Sequence, residues 1–241
     1  MSKFLEKFKS LSVFMKIVAI ALVVAFLLGI FAMLAEFIFE MIDNGFIRTF
    51  FPSFPGFLEN CMFIVKDLVL LVFIAALVAA VISGKKKNIG FVLAAKATLS
   101  TVSLLFIDPF IDRIFITTYS YRAVFSLGMF QAWFVQLLEI VALFGIAILM
   151  FDGFGRISKL MGIIFAGLCG VLVLYEAVLG IIDIVNLVQS MIRGDLYGIL
   201  YYILCALVFC LFYILEFASV GAISLGYALS IKGPVVQKKE G

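Results

Sequence analysis

The sequence predicts an all-α, polytopic membrane protein: six transmembrane helices in three hairpins, plus a short amphipathic N-terminal helix. Three observations carry this. Apolar residues fill 66% of the 241 positions and charged residues only 14%, against roughly 45–50% and about 25% in soluble domains. The apolar residues gather into six long runs, near 17–42, 62–83, 89–107, 123–151, 160–192 and 196–231. Lysine and arginine fall in alternate gaps between those runs, as they do when every second loop faces the cytoplasm.

Taken in order, the first element is an interfacial helix. Phe4, Phe8, Leu11 and Met15 recur at helical spacing with Lys3, Glu6 and Lys7 on other faces, which suits a helix lying on lipid headgroups. Residues 1–15 are therefore assigned to a cytoplasmic interfacial helix, 16–232 to the transmembrane domain and 233–241 to a cytoplasmic tail. The first apolar run is too long for the core of a cleavable signal, and no small-residue cleavage site with a polar chain follows it. It reads as the first span, since about 20 residues cross roughly 30 Å of hydrocarbon.

The connection to the second run holds Pro52, Pro55 and several phenylalanines and is expected to lie on the headgroups. Runs two and three are joined by Gly84-Lys85-Lys86-Lys87-Asn88, and runs four and five by Asp152-Gly153-Phe154-Gly155-Arg156. Turns this short make the helices they join antiparallel neighbours. Ile42-Asp43, Ile111-Asp112 and Ile182-Asp183 recur about 70 residues apart, and Lys16, Lys87 and Lys159 follow nearly the same period. Three hairpins in one orientation describe that repeat most simply.

Twelve basic residues flank one set of helix ends: Lys3, Lys7, Lys9, Lys16, Lys85, Lys86, Lys87, Arg156, Lys159, Lys232, Lys238 and Lys239. Only Arg48, Arg113, Arg122 and Arg193 flank the other. This places both termini in the cytoplasm, with the plasma (cytoplasmic) membrane as host. Phe50, Phe51, Phe54, Phe57, Tyr119, Tyr121, Trp133, Tyr201 and Tyr202 then form an outer aromatic belt. Four small-residue series spaced by four predict close helix packing: Ala21/Ala25/Gly29, Ala76/Ala80/Gly84, Gly162/Ala166/Gly170 and Ala218/Ala222/Gly226.

Several function classes are excluded. The chain has no histidine, so the commonest metal ligand and proton shuttle is missing. Cys61, Cys169, Cys205 and Cys210 sit inside apolar runs, where cysteine is a packing residue. The Ser224 region lacks both the nucleophile-elbow spacing and a base, and no zinc-protease or phosphate-loop motif exists. The Asp152–Arg156 turn has the wrong spacing for the start of a CDP-alcohol phosphotransferase, and the two metal-holding aspartates that follow in that family are missing. The net charge of +3 is spread over loops and implies no nucleic acid. The expectation is a non-enzymatic protein with no cofactor.

What remains is a set of polar residues inside the runs. Each charge at mid-membrane costs about 2.5–3.5 kcal/mol to insert, so facing lipid is expensive. Counting rise per residue from the basic ends puts Glu139 ~20 Å up, Glu216 ~24 Å, Glu176 ~25 Å, Asp67 ~27 Å and Glu36 ~30 Å. Thr101 and Ser103 reach ~21–24 Å on the same scale, with Gln136 nearby. A shared acidic layer in the outer half of the bundle follows. Lys66 is expected to pair across to another helix or to snorkel, and Lys96, ~13 Å up, to snorkel towards the cytoplasm. Asp43, Asp108, Asp112, Asp183 and Asp195 belong to the outer interface.

Two uses of such a layer are open. Protonated carboxyls can act as hydrogen-bonding glue, or water can enter and let them bind a cation or relay protons. The implied partners are the lipid bilayer with either a small solute or cation, or else a membrane-protein partner or second copy.

Overall fold

The computed structural model describes residues 2–50, 54–107 and 127–231, and among them every element is helical. In chain order these are α1 (Ser2–Ser10), α2 (Val13–Phe50), α3 (Phe54–Ser83), α4 (Lys86–Val102), α5 (Leu127–Met150), α6 (Ser158–Arg193), α7 (Leu196–Ile203) and α8 (Cys210–Ser230). A wider π-helical turn, Ser103–Ile107, continues α4, and another, Leu204–Phe209, joins α7 to α8 without a break.

Five helical stretches are long and apolar enough to cross a membrane: Val13–Ala35, Lys86–Phe106, Trp133–Met150, Gly155–Arg193 and Gly198–Ser230. They fit an integral membrane protein. The described apolar part of α3, Leu68–Ser83, is shorter. The region expected to connect the first two runs is largely helical, because α2 runs on to Phe50 and α3 starts at Phe54. Pro55 is no obstacle there, since a first-turn residue has no intrahelical N–H bond to lose.

Each long helix packs on its neighbours in sequence, and the last returns to the first: α2 on α3, α3 on α4, α4 on α5, α5 on α6, α6 on α8 and α8 on α2. A ring closed in chain order results. The tight turns at Gly84-Lys85 and Phe151–Phe154 lie at the end of the ring where α1 sits. The start of α2 and the finish of α8 share that end, for a Cβ on Gly226 would come 2.7 Å from the ring of Phe14.

Glycine sets the closest approaches. Gly29 faces Leu71 and Phe212, where an added Cβ would lie 2.7 and 2.8 Å from them. At Gly162 it would lie 2.7 Å from the Ala228 Cβ, and the buried Ser224 hydroxyl donates to the Gly162 carbonyl at 2.9 Å. Gly170, expected to make the same kind of contact, meets open space, and Ala218 is exposed. The α6–α8 seam turns away from both. One apolar core runs through the ring, built on Leu22, Ile74, Leu93, Ile146, Leu149 and Cys169. Of the face of α1 expected to lie on lipid, Phe8 and Leu11, followed by Met15 on α2, pack partly buried against this core.

Candidate functional site: a lysine between two carboxylates

Lys96 organises the polar interior. It does not snorkel: the residue is only 9% exposed, and its ammonium lies between two carboxylates from other helices. Nζ stands 3.0 Å from Oε1 of Glu139 on α5 and donates a hydrogen bond to Oε1 of Glu216 on α8. The expectation failed for a physical reason. Snorkelling needs a path to water, and the Lys96 ammonium shares its pocket with Phe73, Ile74 and Leu77 of α3, Val92 and Leu93 of α4, and Val220. Enclosed by these side chains, the ammonium has its charge offset by the two carboxylates at contact instead.

Glu216 is the most enclosed member, at 2% exposed. Its second oxygen, Oε2, has no hydrogen-bond partner, and neither does the buried hydroxyl of Ser219 one turn along. Such orphaned atoms are rare in native interiors and call for an explanation. Glu139 is less enclosed, its side chain retaining 19% exposure. Glu176 on α6 is half-buried and lies within electrostatic reach of both Glu139 and Glu216. The Cys210 thiol donates to its backbone carbonyl at 3.0 Å. Cys169, fully buried on α6, senses the charges of Lys96, Glu139 and Glu216.

Glu139, Glu216 and Glu176 therefore converge around Lys96 rather than leaving it to snorkel. The Thr101 hydroxyl is turned onto its own helix, donating to the Ala97 carbonyl at 2.7 Å. Ser103 opens the π turn of α4, and Gln136 is half-buried one helical turn from Glu139. The side chains of Glu36, Asp67 and Lys66 lie outside the described residues, as do Asp108 and Asp112 entirely. Asp195 is exposed at a helix end, where its carboxylate caps α7 by accepting from the Gly198 N–H at 3.0 Å.

The space around the cluster is small. The cavity lined by Lys96 and Glu216 offers about 10 Å³ to the centre of a water molecule, and an apolar crevice between Gly29, Leu71 and Phe212 offers about 20 Å³. Roughly 10–15 Å³ on that measure admits one water. The first cavity is thus at the threshold for a single water beside the charged groups.

A second triad, with Lys86 and Asp152 from the two tight turns and Tyr227 from the last long helix, sits at the α1 end. Lys86, the first residue of α4, lies 2.5 Å from the Asp152 Oδ2, and the Tyr227 hydroxyl near the end of α8 donates to Oδ1. The Lys86 ammonium is also 5.5 Å from the centre of the Tyr227 ring, in cation–π range. Asp152 adopts a left-handed backbone, φ 60°, which aspartate tolerates better than most residues. Hydrogen bonds from Lys86 first and Tyr227 second hold its carboxyl below the usual value of 3.8. It is therefore ionised at any near-neutral pH.

Comparison with family models, with curated proteins and with solved structures finds no match. The site is read from its own geometry.

Proposed function

We propose that this chain is a six-span membrane protein, built as three hairpins with both termini in the cytoplasm, that passes protons or a small cation through an acid-lined interior. One observation carries the reading: Lys96 is buried between Glu139 and Glu216, while Oε2 of Glu216 has no partner. Glu176 stands within reach of the pair. Ionisable groups this deep are costly and mark ion and proton pathways by default.

The chemistry follows from charge balance. One ammonium faces three carboxyls, so the cluster has room for at least one further positive charge. With all three ionised, Lys96 offsets only part of the negative charge. A proton arriving on Glu216 or Glu139 neutralises one partner of Lys96 and weakens the tie between α4, α5 and α8. Loading is in this way linked to helix packing. A cavity of water size favours a proton over a larger solute.

Reconstitution into liposomes with a trapped pH-sensitive dye tests this. Under an imposed potassium diffusion potential the protein should acidify or alkalinise the lumen faster than empty liposomes. Glu216→Gln and Glu176→Gln should each cut that flux at least tenfold. Wild-type flux in Glu216→Gln would end the proposal.

A second reading has a specific observation behind it. The Gly155–Arg193 stretch is the least buried of the five apolar ones, and a non-transporting scaffold or accessory subunit would use such a face against a partner. Flux from the unaltered protein no faster than through empty liposomes would favour it.

A further inference from the structure

We infer that Lys86, Asp152 and Tyr227 form a gate that shuts the α1 end of the bundle beneath the Lys96 cluster. The inference rests on the proposed passage of protons or cations, and adds to it the point at which passage is controlled.

Each triad takes one member from α4 and one from α8, and its third from α5 or the turn that follows it. Lys96 and Lys86 both belong to α4, ten residues apart. Glu216 and Tyr227 both belong to α8, eleven residues apart. Glu139 lies on α5, and Asp152 follows the end of that helix thirteen residues later. At 1.5 Å per residue the triads are stacked about 15–20 Å apart along one seam. The upper one is enclosed, with Glu216 at 2% exposed. The lower one meets solvent, its Lys86 and Asp152 side chains 44% and 53% exposed.

Between the two levels lie the buried side chains of Ile89, Leu93, Ile146 and Leu149, so a water route from the α1 end opens only where the helices tied by the lower triad part. Asp152 accepts from both partners at once, through separate oxygens, and so draws the first turn of α4 and the last turns of α8 onto the α5–α6 turn. Release of that carboxylate frees both helices together. Each also carries the means to yield. Ser103 begins the π turn of α4 seven residues beyond Lys96, and Phe209 ends the π turn before α8 seven residues ahead of Glu216. Such turns interrupt regular hydrogen bonding, often at functional sites and kinks. Parting α4 from α8 about these two points would open the α1 end and leave the far end in place.

Cys169 supplies a reporter. It is 1% exposed and lies within electrostatic reach of the upper cluster. In a full-length protein keeping Cys169 as its sole thiol (Cys61, Cys205 and Cys210 replaced by serine), a charged, impermeant methanethiosulfonate is applied from the α1 side in liposomes. Asp152→Asn and Tyr227→Phe should each raise the rate of Cys169 labelling at least tenfold, and Lys86→Arg should leave it within twofold. Rates within twofold of the parent in folded Asp152→Asn and Tyr227→Phe would reduce the triad to a tether and overturn the gate.

Should those variants fail to fold, a Lys86→Cys, Tyr227→Cys pair decides. Oxidised to a disulfide, it should label at Cys169 at least tenfold more slowly than when reduced, as read from the mass of the Cys169 peptide. Equal rates would overturn the inference. Labelling needs no flux, so failure of the gate is distinguishable from failure of the proposed transport.

Discussion

At the scale of single residues, Lys96 shows what charge in a bilayer requires. The sequence placed it below the carboxyls and gave it water as its nearest partner. The fold gives it Glu139 and Glu216. The position of each carboxyl within its own apolar run was legible from the chain alone, because it depends on one helix at a time. Pairing depends on which helices are neighbours, and spacing along the chain does not contain that. The energetic consequence is testable. Lys96→Met leaves Glu216 buried without a countercharge, and breaking one side of a buried pair costs about 3–5 kcal/mol. Removing both charges costs far less, since an apolar replacement of the pair is often neutral. Unfolding in mixed micelles should therefore show Lys96→Met strongly destabilised, and Lys96→Met with Glu216→Met close to wild type. Flux should be lost in both. If the double variant kept its flux, the cluster would be a structural clamp alone.

At the scale of elements, apolar length made the helices readable, and every predicted run contains a helix. Their ends were less so. The stretch between the first two runs looks like a connection because prolines and isolated charges interrupt it, yet α2 and α3 extend through most of it. The small-residue series marked real contacts at Gly29, Gly162 and Gly226, and missed at Gly84, Gly170 and Ala218. Spacing by four identifies a face but not whether another helix covers it. Gly162 gives the sharpest test, because an added Cβ alone would lie 2.7 Å from Ala228. Overpacking of this kind costs about 1–3 kcal/mol. Gly162→Leu should lower the thermal stability of the purified protein in detergent, whereas Gly170→Leu, facing open space, should leave it nearly unchanged. Equal effects would mean that the α6–α8 seam is not set by Gly162.

For the whole molecule, the ring closes only because an even number of long helices brings α8 back beside α2 with their ends matched. Phe14, near the start of α2, lies against Gly226, near the finish of α8. Lys86 and Asp152, at the two tight turns, are joined at that same end. Lys85, Lys86, Lys87, Arg156 and Lys159 belong to that same end. Single cysteines at Ser10, Lys87 and Arg156 in an otherwise cysteine-free chain should all be blocked by an impermeant maleimide from one side of sealed vesicles. A cysteine at Gly194, in the turn between α6 and α7, should react from the opposite side only. Were Gly194 and Lys87 to react from the same side, α6 could not cross as drawn, and a proton path along the seam of α4, α5 and α8 would no longer lead from one compartment to the other.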